Sequence, residues 1–215
     1  MRVIRSVIPF IVIAAFGIFM LIMSIKDKIE LSKPPADIAQ MSESDFYSGR
    51  FVEGDIYEIW GNYATLEQSD SIFGIKYNTK ATAHYYLMPL ETSYDTGIPK
   101  FISVAVHDSA DILNAQKMER EFDRYLDSDD EVFEPVTVMH IKGKVTKLRK
   151  DAANIFDKTL SSMTFNPATD AVHYVINVGN DGSGTSTELI LGIVVTIIGL
   201  FGGFIAFVRG RRRGF

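Results

Sequence analysis

Two uncharged apolar runs lie near the two ends of the chain, and any fold must first accommodate them. Ser6 to Ile25 reads SVIPFIVIAAFGIFMLIMSI between Arg5 and Lys26, and Leu189 to Val208 reads LILGIVVTIIGLFGGFIAFV. Each is 20 residues long, about 30 Å as a helix, which matches the hydrocarbon thickness of a bilayer. Pro9 falls in the first turns of the first run, and membrane helices tolerate glycines such as Gly17. A cleaved signal peptide is the alternative for this run, since Arg2 and Arg5 precede it. Its apolar part is long for that role and leads straight into Lys26-Asp27-Lys28 without a small-x-small site, so an uncleaved anchor is the expectation.

Charge orients the two spans. Arg209, Arg211, Arg212 and Arg213 follow the second run, whereas residues 171–188 carry no Lys or Arg. The positive-inside rule therefore puts the C-terminus in the cytoplasm, and a two-span hairpin puts Arg2 and Arg5 there too. The expected order is a cytoplasmic tail 1–5, a span 6–25, a linker 26–48, an extracytoplasmic domain 49–178, a flexible linker 179–188, a span 189–208 and a basic cytoplasmic tail 209–215. All 27 acidic residues lie between Asp27 and Glu188, against 16 basic residues outside the two tails, a net charge of −11. So acidic a domain is not expected to bind nucleic acid. With no cysteine, disulfides, thiolate catalysis and Cys-ligated metals are excluded.

The stretch from Glu30 to Ser48, with Pro34-Pro35, reads as a stiff linker, and Gly179 to Thr187 as a Gly/Ser/Thr tether. Between them, Phe51–Trp60, Tyr63–Gln68 after a Gly61-Asn62 turn, Ile72–Tyr77, Ala81–Leu90 and Lys100–His107 have strand character. In the last of these Ile102, Val104 and Val106 alternate with Phe101, Ser103, Ala105 and His107. Asp108-Ser109 caps a helix whose Ile112, Ala115, Met118, Phe122 and Tyr125 recur at three and four residues. Val136 to Lys142 reads as a strand broken by Gly143, Val145 to Met163 as a second amphipathic helix and Ala171 to Val178 as a last strand. The fold class is α+β: two transmembrane helices flanking a mostly antiparallel, OB-like extracytoplasmic domain with two helices.

Chemical motifs are sparse. Asp95-Thr96-Gly97 spells the aspartic-protease triplet without its apolar lead-in, and reads as a turn. His84, His107, His140 and His173 fall in four different strands; convergence on a metal is conceivable, but no pair has helical ligand spacing. His107-Asp108-Ser109 supplies triad letters on adjacent positions, which point to opposite faces of a strand. Asp127, Asp129, Asp130, Glu131 and Glu134 form the densest carboxylate run, without the calcium-loop glycine and terminal glutamate. Gly179, Gly182 and Gly184 lack the lysine of a phosphate loop. Trp60, Tyr63, Tyr85, Tyr86 and Tyr94 could line a binding face of an OB-like barrel.

In the second span Gly192, Gly199 and Gly203 would admit a close helix partner, either the first span through Ala14, Gly17 and Ser24 or a second copy. Neither span contains an ionisable residue, which gives no support to a proton or ion path. The segments FVEGDIYEIWGNYATLEQ, AHYYLMPL, KFISVAVHD, EFDRYL and VTVMHIKGKVTKL together resemble an uncharacterised family of Gram-positive bacterial membrane proteins with two spans and an outward-facing OB-like domain. The resemblance covers most of the outer domain, implies no activity and carries over no site residue. The expected function is a membrane-anchored extracytoplasmic binding, scaffold or assembly protein without catalytic site, metal or cofactor. Its expected partners are the lipid bilayer and a protein or second copy through the transmembrane helices. The alternative is a membrane-tethered hydrolase or metal-dependent enzyme using His and carboxylates.

Overall fold

The computed structural model describes residues 2–72, 75–95, 97–182 and 184–212. The chain divides into two compact units, one made of residues 1–33 and 182–215 and the other of residues 34–181. The first consists of helix α1, Arg2–Leu31, and the C-terminal helix, Thr185–Arg212. Both are long and apolar enough to cross a membrane. Each outlasts its uncharged run, because nothing at Lys26–Leu31 or Thr185–Glu188 breaks a helix. The expected tether 179–188 is correspondingly shorter.

The second unit is mixed α and β, built on one seven-stranded sheet. Its strands are β1 (Ala36–Asp37), β2 (Phe51–Ile56), β3 (Gly61–Ile72), β4 (Ile75–Pro89), β5 (Phe101–Val106), β6 (Met139–Lys147) and β7 (Ala171–Val178), in the order β1-β2-β6-β7-β5-β4-β3. The β1–β2 and β5–β7 pairs are parallel and the other four antiparallel. Helix α2 (Glu91–Tyr94) is a single turn between β4 and β5. Helices α3 (Ser109–Leu126) and α4 (Lys150–Ser162) flank β6, and the one-turn α5 (Pro167–Asp170) leads into β7; the C-terminal helix is α6.

Strand β5 shows why the sheet has two cores. All six of its residues are buried, and alternation sends Ile102, Val104 and Val106 to one face and Phe101, Ser103 and Ala105 to the other. The first set packs with Val52, Tyr86, Met118, Ile141 and Ile176. The second joins Leu87, Leu148, Phe156, Leu160 and Val175. Helix α3 covers the first face through Ala115 and Met118, its Phe122 stacks on Trp60, and its Asp108 cap accepts the Ala110 N–H at 2.8 Å. Helix α4 covers the second through Phe156 and Leu160.

Several expectations are corrected. The segment 26–48 is no linker: β1 pairs with β2, and Ile38, Met41 and Phe46 are buried in the first core. Its apolar residues were too sparse to show a period, yet each finds a pocket. Gly61-Asn62 is not a turn but the start of β3, which pairs with β4 and not with β2. The break after β2 comes earlier, at Tyr57–Trp60, where Ile59 is fully buried. Ile72–Tyr77 is not a separate strand; it spans the adjoining ends of β3 and β4, with Phe73 and Gly74 outside the described residues.

Gly143 does not break its strand either. It sits inside β6 opposite Val178, where a Cβ would lie 2.5 Å from the Asn177 carbonyl oxygen. Val145 therefore belongs to the strand, Leu148 to the link beyond it, and α4 begins only at Lys150. The i, i+3 spacing of Val145 and Leu148 imitates a helix that the alternating burial of Ile141, Gly143 and Val145 overrules. Val136–Val138 precedes β6 without joining it. Gly143→Val is expected to force β6 from β7 and to lower the denaturant midpoint of the 34–181 unit, followed by Trp60 fluorescence in the detergent-solubilised chain; an unchanged midpoint would show that the contact relaxes at no cost.

Candidate functional site

The glycines of α6 lie against α1. The contacts run from Leu31 at Gly182, through Leu21 at Gly192, Gly17 at Thr196 and Ala14 at Gly199, to Phe10 at Gly202 and Gly203, so the two helices are antiparallel neighbours. A Cβ on Gly199 would lie 2.4 Å from the Ala14 backbone nitrogen, and one on Gly17 2.6 Å from that of Thr196. There the two backbones touch, as small residues permit. A Cβ on Gly192 would lie 3.1 Å from the Leu21 side chain, and one on Gly202 would meet the Phe10 ring. One on Gly203 would make only ordinary contact, 3.5 Å from the Phe10 Cβ. The glycine surface expected to serve either the first span or a second copy thus lies against the first span. Ala14 and Ser24 are buried. Phe10, Leu21 and Thr196 were missed; only Thr196 had a signal, its four-residue step from Gly192.

The antiparallel arrangement has an electrostatic result. Arg2 and Arg5 stand at the start of α1, and Arg209, Arg211 and Arg212 in the last turns of α6. All five positions therefore fall at one end of the pair. Arg213 lies outside the described residues.

The four histidines do not meet. His84 Nδ1 is 3.4 Å from Thr65 Oγ1 and His107 Nδ1 is 2.9 Å from the Thr82 carbonyl oxygen. His173 Nε2 is 2.8 Å from Asp157 Oδ1, which ties β7 to α4. His140 Nδ1 is 2.7 Å from Asp55 Oδ1, its opposite residue across the β2–β6 pair, and its Nε2 is 3.4 Å from Glu53. Among the described residues no three His, Asp or Glu side chains are placed to hold a metal ion.

The aromatic residues do not share one face. Trp60 packs on Phe101, Phe122 and Phe165, while Tyr63 and Tyr85 join the second core. Tyr63 Oη is 2.6 Å from Ser103 Oγ, and burial raises its pKa. Tyr86 is in the first core; its hydroxyl has no hydrogen-bond partner among the described residues, and burial, then the Glu119 charge, pushes its pKa up to about 12. Tyr94 stands apart, donating to Glu58 Oε2 at 2.8 Å. Asp95 ends the α2 turn and the Gly97 N–H donates to the Tyr94 carbonyl at 3.0 Å; Thr96 lies outside the described residues, as does Ser183 of the tether.

The carboxylate run has an unexpected setting. Helix α3 supplies Glu121, whose carboxylate accepts the N–H groups of Val136 and Thr137 at 3.2 and 2.9 Å and the Thr137 hydroxyl at 2.6 Å. Burial works to raise the pKa of Glu121, but these bonds outweigh it and hold the carboxylate ionised. Phe133 packs on Phe122 and Tyr125 at 5.5 and 5.4 Å. The loop after α3 is thus pinned at two points over a groove of about 530 Å³. Nothing in the local sequence pattern announced this, because its fastenings are 15 and 16 residues apart.

Two outcomes follow from these contacts. Cysteines replacing Leu21 and Gly192 in this cysteine-free chain should cross-link within one molecule, and adding Gly199→Ile should abolish the link; survival of the link would remove the close-contact role of Gly199. The bond to Asp55, then that to Glu53, raises the His140 pKa above 6.5. Its stabilisation is therefore complete below pH 6.5 and is lost as pH rises through the higher folded-state value. The denaturant midpoint should fall as pH rises above about 6.5, with a slope that His140→Asn reduces; equal slopes in both proteins would exclude it.

A search among curated proteins found no match. The model of DUF8577, a domain of unknown function, matches residues 1–209. That match takes in both apolar helices and the whole sheet between them, and the chain belongs to the DUF8577 family.

Proposed function

We propose that the chain is a two-span plasma-membrane protein with both termini in the cytoplasm, displaying the 34–181 unit on the outer side as a binding, scaffold or assembly module. The observation that carries this reading is the antiparallel pairing of α1 and α6, which gathers the arginines of both ends at one end of an uncharged helix pair. Cytoplasmic retention of such charge is the rule for short flanks, whereas a long folded segment crosses largely regardless of its charge.

The outer unit is read as an OB-like barrel. In support, β2 and β3 act as the two halves of one bent strand, with β2 pairing β6 and β3 pairing β4. With the parallel β5–β7 pair and α3 between β5 and β6, this is the strand order of that fold, elaborated by β1 and α4. The unit carries 13 basic and 24 acidic residues, so its partners are proteins or other uncharged or cationic surfaces and not nucleic acid.

The chain's lack of cysteine makes the topology directly testable. A single cysteine at Ser128, in the exposed loop after α3, should react with a membrane-impermeant maleimide in intact cells. One at Gly210 should react only after permeabilisation. The reverse pattern overturns the orientation, and equal reaction of both in intact cells overturns the two-span arrangement.

A further inference from the structure

We propose that the outer unit associates head to tail with a second copy of this chain, the acidic groove after α3 of one copy receiving the basic end of β6 and start of α4 of the next. The inference deepens the assembly reading given above and rests on it.

The receiving surface is preformed. Glu121 and the Phe133 ring hold the loop so that Val132 and Val136 point outward, 70% and 84% exposed. Asp130, Glu131 and Glu134 line the groove with Glu121 and a single cation, Arg124, and Asp127 and Asp129 lie exposed on the same loop, so carboxylates outnumber cations there. Isolated exposed valines are ordinary, but valines on a fastened loop along a groove of about 530 Å³ make a surface ready to be covered. Its carboxylates call for a cationic occupant.

The same chain supplies one. Five of the 13 basic residues of the outer unit fall within Lys142–Lys150, a stretch without any acidic residue. Lys142 is taken by Glu53 at 3.2 Å, and Lys144 lies over the Phe51 ring. Lys147, Arg149 and Lys150 are exposed and, among the described residues, in no salt bridge; the same holds for the five carboxylates. The two surfaces cannot meet within one molecule. They lie beyond opposite ends of β6, which runs from Met139 to Lys147, about 26 Å at the rise of a strand. A contact between them is therefore heterologous and repeats from copy to copy. Confinement to one membrane raises the effective concentration, so weak individual contacts suffice.

The test uses the full-length chain in membranes, as two differently tagged copies. One carries Val136→Cys and the other Asp151→Cys, beside Lys150, and a short bismaleimide should join the two tags. Glu131→Lys with Glu134→Lys in the first copy should reduce this product about tenfold, as should roughly 1 M salt, which shortens screening to about 3 Å. Adding Lys147→Glu with Arg149→Glu to the second copy should restore it. Absence of the product with unaltered charges, indifference to charge reversal, or failure of the doubly reversed pair to recover each overturns the proposal. Maleimide labelling at Ser128 and Gly210 is independent of all three, so loss of the contact with the orientation intact refutes this inference alone.

Discussion

Backbone pairing on both sides of β6 is the constraint on which the 34–181 unit depends. Its first half bonds to β2 and its second half to β7, and Gly143 is common to both ladders. At that point Ala36, Val52, Gly143 and Val178 form one row across four strands. The chain enters the sheet at one end of this row and leaves it at the other, about 14 Å away at three strand spacings. A side chain at Gly143 would meet the Asn177 carbonyl and part the row. One glycine thus keeps the entry and exit of the sheet in one row.

The same contact explains where sequence reading succeeded and where it stopped. Strand β5 was legible because its apolar residues occupy both alternating sets, and α3 because Asp108 caps it and Ala115, Met118 and Phe122 share one stripe. Local signals of that kind need no partner. Gly143 needs one: alone it looks like a breaker, and only the facing Asn177 makes it a requirement. The displaced start of α4 is a consequence of this misreading. Ile38, Met41 and Phe46 were hidden for a similar reason, since three apolar residues in a polar stretch acquire meaning only from the sheet that covers them.

The candidate site divides along the same line. Gly192 and Gly199 were legible in α6 because small residues among large ones suggest close approach, and Ala14 and Gly17 were found for the same reason. Phe10 and Leu21 were not, because one large apolar residue in a span resembles the next. In the 34–181 unit the scattered histidines carried little signal of their partners. Their distribution over four strands left open which neighbour each would meet, and strand order sends His140 to β2 and His173 to α4. The groove went unseen because Val136–Val138 resembles the first residues of a strand. Glu121 takes the N–H groups of Val136 and Thr137 and withholds them from the sheet.

Association of such a domain through its sheet edges is disfavoured by the structure of those edges. One edge is β1, only two residues long. The other is β3, whose ladder to β4 is interrupted by three register shifts and which carries Glu67 and Asp70. Short strands, bulges and charge are the devices that keep a sheet from adding strands at random. The pinned loop after α3 differs from these edges: it offers no strand for pairing, its Val132 and Val136 face solvent, and its only defence is the charge of the carboxylates beside them. In the proposed association, acidic domains confined to one membrane would repel one another unless opposite charges were paired. Cations collected at one end of β6 and carboxylates beyond the other would then favour a single relative orientation.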